Sequence, residues 1–136
     1  MGFFSKKLDY PEMGLDSPAA EQLRGVEEPL TTLMDQVSDH LEVVTADNQA
    51  YVFIGKPPKK FGVAVIEGGE VQSFVAAAKK KGLDPIKIQK LNEKFRDAYM
   101  HNQDVQRYKA SISGREVVVT PCAELVREVS QIIDSM

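Results

Sequence analysis

The chain has 136 residues, 43% of them hydrophobic and 27% charged. That is the size and composition of one globular domain able to bury about two-thirds of its unfolded surface. A net charge of −3 argues against wholesale electrostatic attraction to nucleic acid or an anionic membrane. Cys122 is the single cysteine, which excludes an internal disulfide and any multi-cysteine zinc site.

Residues 1–16 read as an N-terminal arm without regular structure, and 17–136 as one α+β domain. Phe3 and Phe4 precede Lys6 and Lys7, the reverse of a signal peptide's order. The sixth residue is Lys6, so the myristoylation pattern is missed as well. With no apolar run of roughly 18 residues, no transmembrane helix is expected, and a cytoplasmic location follows as the default. Phe3, Phe4, Leu8, Tyr10, Met13 and Leu15 are too apolar for a purely disordered tail, so the arm is expected to pack on the body or on a second copy.

Three short polar residues stand directly before a proline: Ser17-Pro18, Asp84-Pro85 and Thr120-Pro121. Each pair predicts a helix start. The polar side chain accepts a hydrogen bond from an orphan N–H, and proline at the first helical position has no N–H to leave unpaired. From Pro18 to about His40, Ala19, Leu23, Val26, Leu30, Leu33 and Val37 form one apolar stripe. Pro29 interrupts it and predicts a kink or a break; the unbroken register favours a kink.

Strands are predicted over Leu41–Thr45, Ala50–Ile54 and Phe61–Ile66, the last two apolar on both faces. Asp47-Asn48 turns the first into the second. Residues 55–60, Gly-Lys-Pro-Pro-Lys-Lys, make a stiff basic tip between the second and third. Gly68-Gly69 ends the third strand. A helix is predicted over Val71–Lys81, closed by Gly82 in the left-handed position and by Leu83 packing behind it. The next helix runs from Pro85 to about His101, with Ile88, Leu91, Phe95, Ala98 and Tyr99 inward, making an αα-hairpin. Tyr108–Ile112 and Arg115–Val119 form a hairpin around Ser113-Gly114. A last helix follows Thr120-Pro121, with Leu125, Val129, Ile132 and Ile133 inward. The predicted order is αβββααββα, a largely antiparallel five-stranded sheet packed with helices, expected on one face with packing on both faces left open.

Charge is uneven. Residues 1–48 carry 3 basic and 10 acidic side chains, and residues 49–116 carry 13 basic and 7 acidic. An acidic helix docking on a basic region, within a chain or across a dimer, explains this, as does an acidic partner.

Candidate chemistry is sparse. Cys122 sits where a helix N-terminus lowers a thiol pKa, which makes it a weak catalytic candidate against the ordinary role of a small half-buried residue. His40 and His101 end helices, and neither has a partner at metal-ligand spacing, so no metal site is predicted. Glu27, Glu28, Asp35 and Asp39 read as a solvated helix face. Glu67-Gly68-Gly69-Glu70 matches no phosphate-binding loop, and no cofactor is expected. The basic tip, Lys56, Lys59 and Lys60 beside Phe61, is the feature least explained by folding. Its prolines lower the entropy cost of presenting it.

These observations favour a non-enzymatic interaction or regulatory module that self-associates as a dimer through the first helix and the arm. It would take an acidic protein partner, not nucleic acid or a membrane. One alternative is a ligand-binding domain or small enzyme with a pocket between the sheet and the 71–101 helices, contacted by Arg107, Tyr108 and Lys109. A second is nucleic-acid binding through loop 56–60.

Overall fold

The computed structural model describes residues 10–136. The first apolar stripe forms two helices, α1 (Pro18–Gly25) and α2 (Glu27–Gln36), and not one kinked rod. The break falls at Val26, whose φ of −121° and ψ of 12° leave the helical region. Pro29 thereby lands in the first turn of α2, where a missing N–H costs no helical bond. The stripe survives because both helices lie on the same apolar surface: Ala19, Leu23, Val26, Leu30 and Leu33 are all buried. The Ser17 hydroxyl accepts the Ala20 N–H at 3.1 Å, as its place before Pro18 predicts. At the other end of α2, Arg115 reaches back and donates to the carbonyls of Met34, Val37 and Asp39 at 2.8, 2.9 and 2.6 Å. It answers carbonyls the helix end leaves unpaired.

Four strands follow, β1 (Leu41–Ala46), β2 (Gln49–Lys56), β3 (Lys60–Glu67) and β4 (Glu70–Ser73). Asn48 takes φ 60° in the first turn, a conformation asparagine tolerates. Gly68 and Gly69, at φ 62° and 79°, close a hairpin into β4 and do not end the sheet. The helix predicted from Val71 therefore starts later. Ser73 caps α3 (Phe74–Lys80) by accepting the Ala76 N–H. Its end is as predicted: Gly82 lies at φ 79°, its N–H donates to Lys79 at 3.0 Å, and the Leu83 N–H donates to Ala78 at 3.1 Å.

Asp84 caps α4 (Pro85–His101), accepting the Lys87 N–H at 2.8 Å. Strands β5 (Tyr108–Ile112) and β6 (Arg115–Val119) turn through Ser113 and Gly114, both at positive φ. The final helix α5 (Ala123–Asp134) is capped by Cys122, not by Thr120. Thr120 instead prolongs β6, its N–H donating to Val43 at 2.8 Å, so the helix cannot begin until the chain has left the sheet.

The class is α+β, and the sheet has six strands where five were expected, in the order β4-β3-β2-β1-β6-β5. Four pairings are antiparallel and one, β1 with β6, is parallel. The element order is ααββββααββα, the extra strand being β4 and the extra helix the second half of the broken stripe. Helices cover both faces, the alternative to the one-face arrangement expected first. One face carries Val43, Val52, Ile66 and Val119 under α1 and α2. The other carries Val44, Tyr51, Phe53 and Val63 under α3, α4 and α5. Strands apolar on both sides leave no face for water. Because β4 and β5 lie at opposite edges, the chain crosses the second face by way of α3 and α4. No described helix is long and apolar enough to cross a membrane.

Of the arm, residues 1–9 lie outside the described residues. Residues 11–13 run along the edge of β5: the Lys109 N–H donates to Pro11 at 2.9 Å and the Met13 N–H donates to Lys109 at 3.0 Å. That covers part of an edge which would otherwise offer unpaired backbone.

Candidate functional site

Pairing of β2 with β3 continues to Lys56 opposite Lys60, so the basic tip is shorter than the 55–60 loop expected. Gly55 makes this possible. It sits at φ 114°, and a Cβ there would lie 2.8 Å from the Lys60 carbonyl oxygen. Lys56, Lys59 and Lys60 are all exposed at the tip. Phe61 is half-buried and not the exposed aromatic expected, its ring 5.5 Å from that of Phe53. The tip is also tied to α4. Arg96 Nε donates to the Pro58 carbonyl at 2.8 Å, and its guanidinium stands 5.9 Å from the Phe61 ring centre. Three lysines are thus carried on a braced support.

Beneath the end of α4 lies a buried polar network that no motif announces. Glu42 on β1 is 7% exposed and Arg107, just before β5, is 5% exposed. Arg107 Nε donates to Glu42 Oε2 at 2.7 Å, and the Thr120 hydroxyl donates to the same oxygen at 2.6 Å. The Tyr99 hydroxyl donates to Glu42 Oε1 at 2.6 Å. Both carboxylate oxygens are therefore taken. Arg107 Nη1 donates to the Gln103 carbonyl at 2.9 Å, while Nη2 is buried with no partner among the described residues. Burial, reinforced by the Glu42 charge, holds the Tyr99 hydroxyl protonated well above the usual phenol range. Burial is the largest single influence and works against the Arg107 charge, but the charge and hydrogen bond of Glu42, with smaller contributions from Tyr99 and Tyr10, together leave the guanidinium pKa raised. The cluster ties β1, α4, β6 and the entry to β5 together, a structural task.

A second cluster borders the first. Asn102, buried at the end of α4, donates from Nδ2 to the Ala98 carbonyl at 2.9 Å and to Glu128 Oε2 at 3.0 Å. Its Oδ1 accepts the Cys122 thiol at 3.6 Å. His101 Nδ1 lies 3.0 Å from Glu128 Oε2. Glu124 pairs with Arg127 at 2.7 Å, and hydrogen bonding from Arg127, then its charge, holds the Glu124 carboxyl below the usual range. His101, Glu124 and Glu128 each offer an atom within 4.8 Å of the others, a set of metal-ligand types that sequence spacing does not reveal.

The remaining candidates are dispersed. Cys122 is half-buried, and its sulfur accepts the Leu125 N–H at 3.4 Å while its hydrogen goes to Asn102. Arg107, Tyr108 and Lys109 do not converge. Arg107 is consumed by Glu42, Tyr108 lines a small apolar hollow with Met13 and Pro18, and Lys109 borders a groove with Arg24 and Glu116. Where a pocket between the sheet and the 71–101 helices was expected, Phe74, Leu91 and Phe95 pack against Phe53 and Val63. The Phe74 and Phe95 rings meet edge-on at 4.8 Å. Glu27, Glu28, Asp35, Asp39 and His40 are exposed. The Gly68-Gly69 turn leads into a strand, which removes the helix N-terminus that would have favoured an anion there.

Comparison with known family models, curated proteins and solved structures finds no match for this chain. Fold and site together define a small α+β protein built on a six-stranded mixed sheet, with a braced basic hairpin at one end.

Proposed function

We propose that this protein is a non-enzymatic binding module whose recognition element is the β2–β3 hairpin tip, and that its partner is an acidic protein surface. The observation that carries the reading is the Arg96–Pro58 bond of 2.8 Å. A tip backbone held against α4 loses little entropy on binding, so the strands and turn that carry the lysines are preorganised while the side chains adjust to the partner. The basic middle of the chain extends the attraction, and opposite charges across an interface speed encounter and select partners.

The test uses poly-glutamate as an acidic polypeptide probe, with binding followed by fluorescence anisotropy. The full chain binds at low salt and weakens as ionic strength shortens the screening length. Replacing Lys56, Lys59 and Lys60 together by Ser weakens binding at least about tenfold, since the tip supplies the charge. Unchanged binding by that variant would remove the tip from the site. Tighter binding to single-stranded DNA than to poly-glutamate would assign it to nucleic acid.

The same module self-associates through the arm in this reading. Leu15 is 79% exposed at the rim of a groove of about 400 Å³ that also holds Met13, Leu23 and Ile112. Charged side chains of both signs, Glu12, Arg24, Glu27, Lys109 and Glu116, line the groove around Leu15, and an apolar anchor with a mixed charged rim is suited to a second copy. Sedimentation of the chain with and without residues 1–16 should show a dimer that dissociates on deletion; a monomer in both cases refutes the assembly.

A further inference from the structure

We infer that His101, Glu124 and Glu128 form a zinc site that clasps the end of α4 to the start of α5. Their ligand atoms lie within 4.8 Å of one another, a spread that rotation of the exposed His101 and Glu124 side chains closes around one ion beside the held Glu128 carboxylate. One imidazole nitrogen and two carboxylates suit Zn²⁺, whereas Mg²⁺ and Ca²⁺ prefer all-oxygen shells. Glu124 and Glu128 stand one turn apart on α5, so their carboxylates share a face. Together they balance the charge of a divalent ion. His101 ends α4, where the negative end of the helix dipole favours a cation, while the first turn of α5 beneath Glu124 opposes one, so attraction at the site comes from the two carboxylates.

Independent support comes from outside the three ligands. Asn102 is 5% exposed and anchored on the Ala98 carbonyl at 2.9 Å, and it holds Glu128 Oε2 at 3.0 Å. A fixed outer partner of this kind orients a metal-binding carboxylate before the ion arrives. Arg127 competes for Glu124, but both side chains of that pair are about half exposed, at 56% and 46%. Exposed pairs hold weakly, and Arg127 has solvent to swing into. His101 and Glu128 also line a groove of about 440 Å³ with Lys94, Asp97 and Gln131. That leaves room for water at the ion's remaining position, as three-ligand zinc sites require.

Isothermal titration of the full chain with zinc chloride at pH 7 tests the site. One ion binds per chain, and H101A, E124Q and E128Q each weaken binding by about tenfold or more. H40A leaves it unchanged, which separates the site from adventitious histidine binding. Zinc raises the melting temperature of the native chain and not that of H101A, because the ion binds only where both helix ends are in place. Cobalt(II) in place of zinc gives a visible ligand-field band that H101A lacks. No binding, or equal binding by the native chain and by H101A and E128Q, would overturn the assignment.

Discussion

Arg107→Ala should destabilise the fold by about 3–5 kcal/mol, the cost of leaving a buried partner charge uncompensated. The side chain is 5% exposed and its Nε donates to Glu42 Oε2 at 2.7 Å. Without it, Glu42 retains only the Tyr99 and Thr120 hydroxyls, both neutral donors. Urea unfolding of the two proteins measures the difference. The double variant Glu42→Leu, Arg107→Met should recover most of the loss, since apolar replacements of a buried pair are often neutral or better. Recovery stays incomplete because the Tyr99 and Thr120 hydroxyls lose their acceptor. A loss below about 1 kcal/mol for the single variant would mean that water reaches the pair, as in a surface ion pair.

Phe53→Ala should cost a similar amount, about 3–5 kcal/mol, for a different reason. Phe53 is fully buried on the second face of the sheet. Its ring lies 5.1 Å from Tyr99 on α4 and 5.5 Å from Phe61 at the base of the hairpin tip. Truncation removes the apolar transfer energy and leaves a cavity that the sheet cannot collapse to fill. It also withdraws the support beneath both the polar network and the tip. Ile86→Ala is the control: that side chain is 68% exposed, and its loss should stay within about 0.5 kcal/mol. Equal effects of the two substitutions in denaturant melts would show that Phe53 is not packed as described.

Much of the local structure was legible because its causes lie within one helical turn or one hairpin. Ser17 and Asp84 cap the helices they precede. Gly82 and Leu83 close α3 through bonds to residues three and five positions back. Strand β4 was not legible: Glu70-Val71-Gln72-Ser73 has one apolar residue, and only its pairing with β3 makes it a strand. Thr120 carried the same cap signature as Ser17, yet a carbonyl of β1 claimed its N–H and Glu42 its hydroxyl, passing the cap to Cys122. Pro29 pointed to a disturbance, but the break came three residues earlier at Val26, where the helix could restart with proline in its first turn.

The sites divide along the same line. The tip lysines were visible as a local cluster bracketed by prolines, while its tether to Arg96 spans 38 positions. Glu42 meets Tyr99, Arg107 and Thr120 across 57, 65 and 78 positions. From its own neighbours alone the chain specifies the starts of α1 and α4, the end of α3 and the turns at Asn48 and at Ser113-Gly114, since capping, propensity and periodicity act over a few residues. The tertiary structure decided that both sheet faces are covered, that β1 and β6 run parallel, and which charges are buried together. Those outcomes depend on which surfaces the strands leave to be buried, and burial is settled only when distant parts of the chain meet.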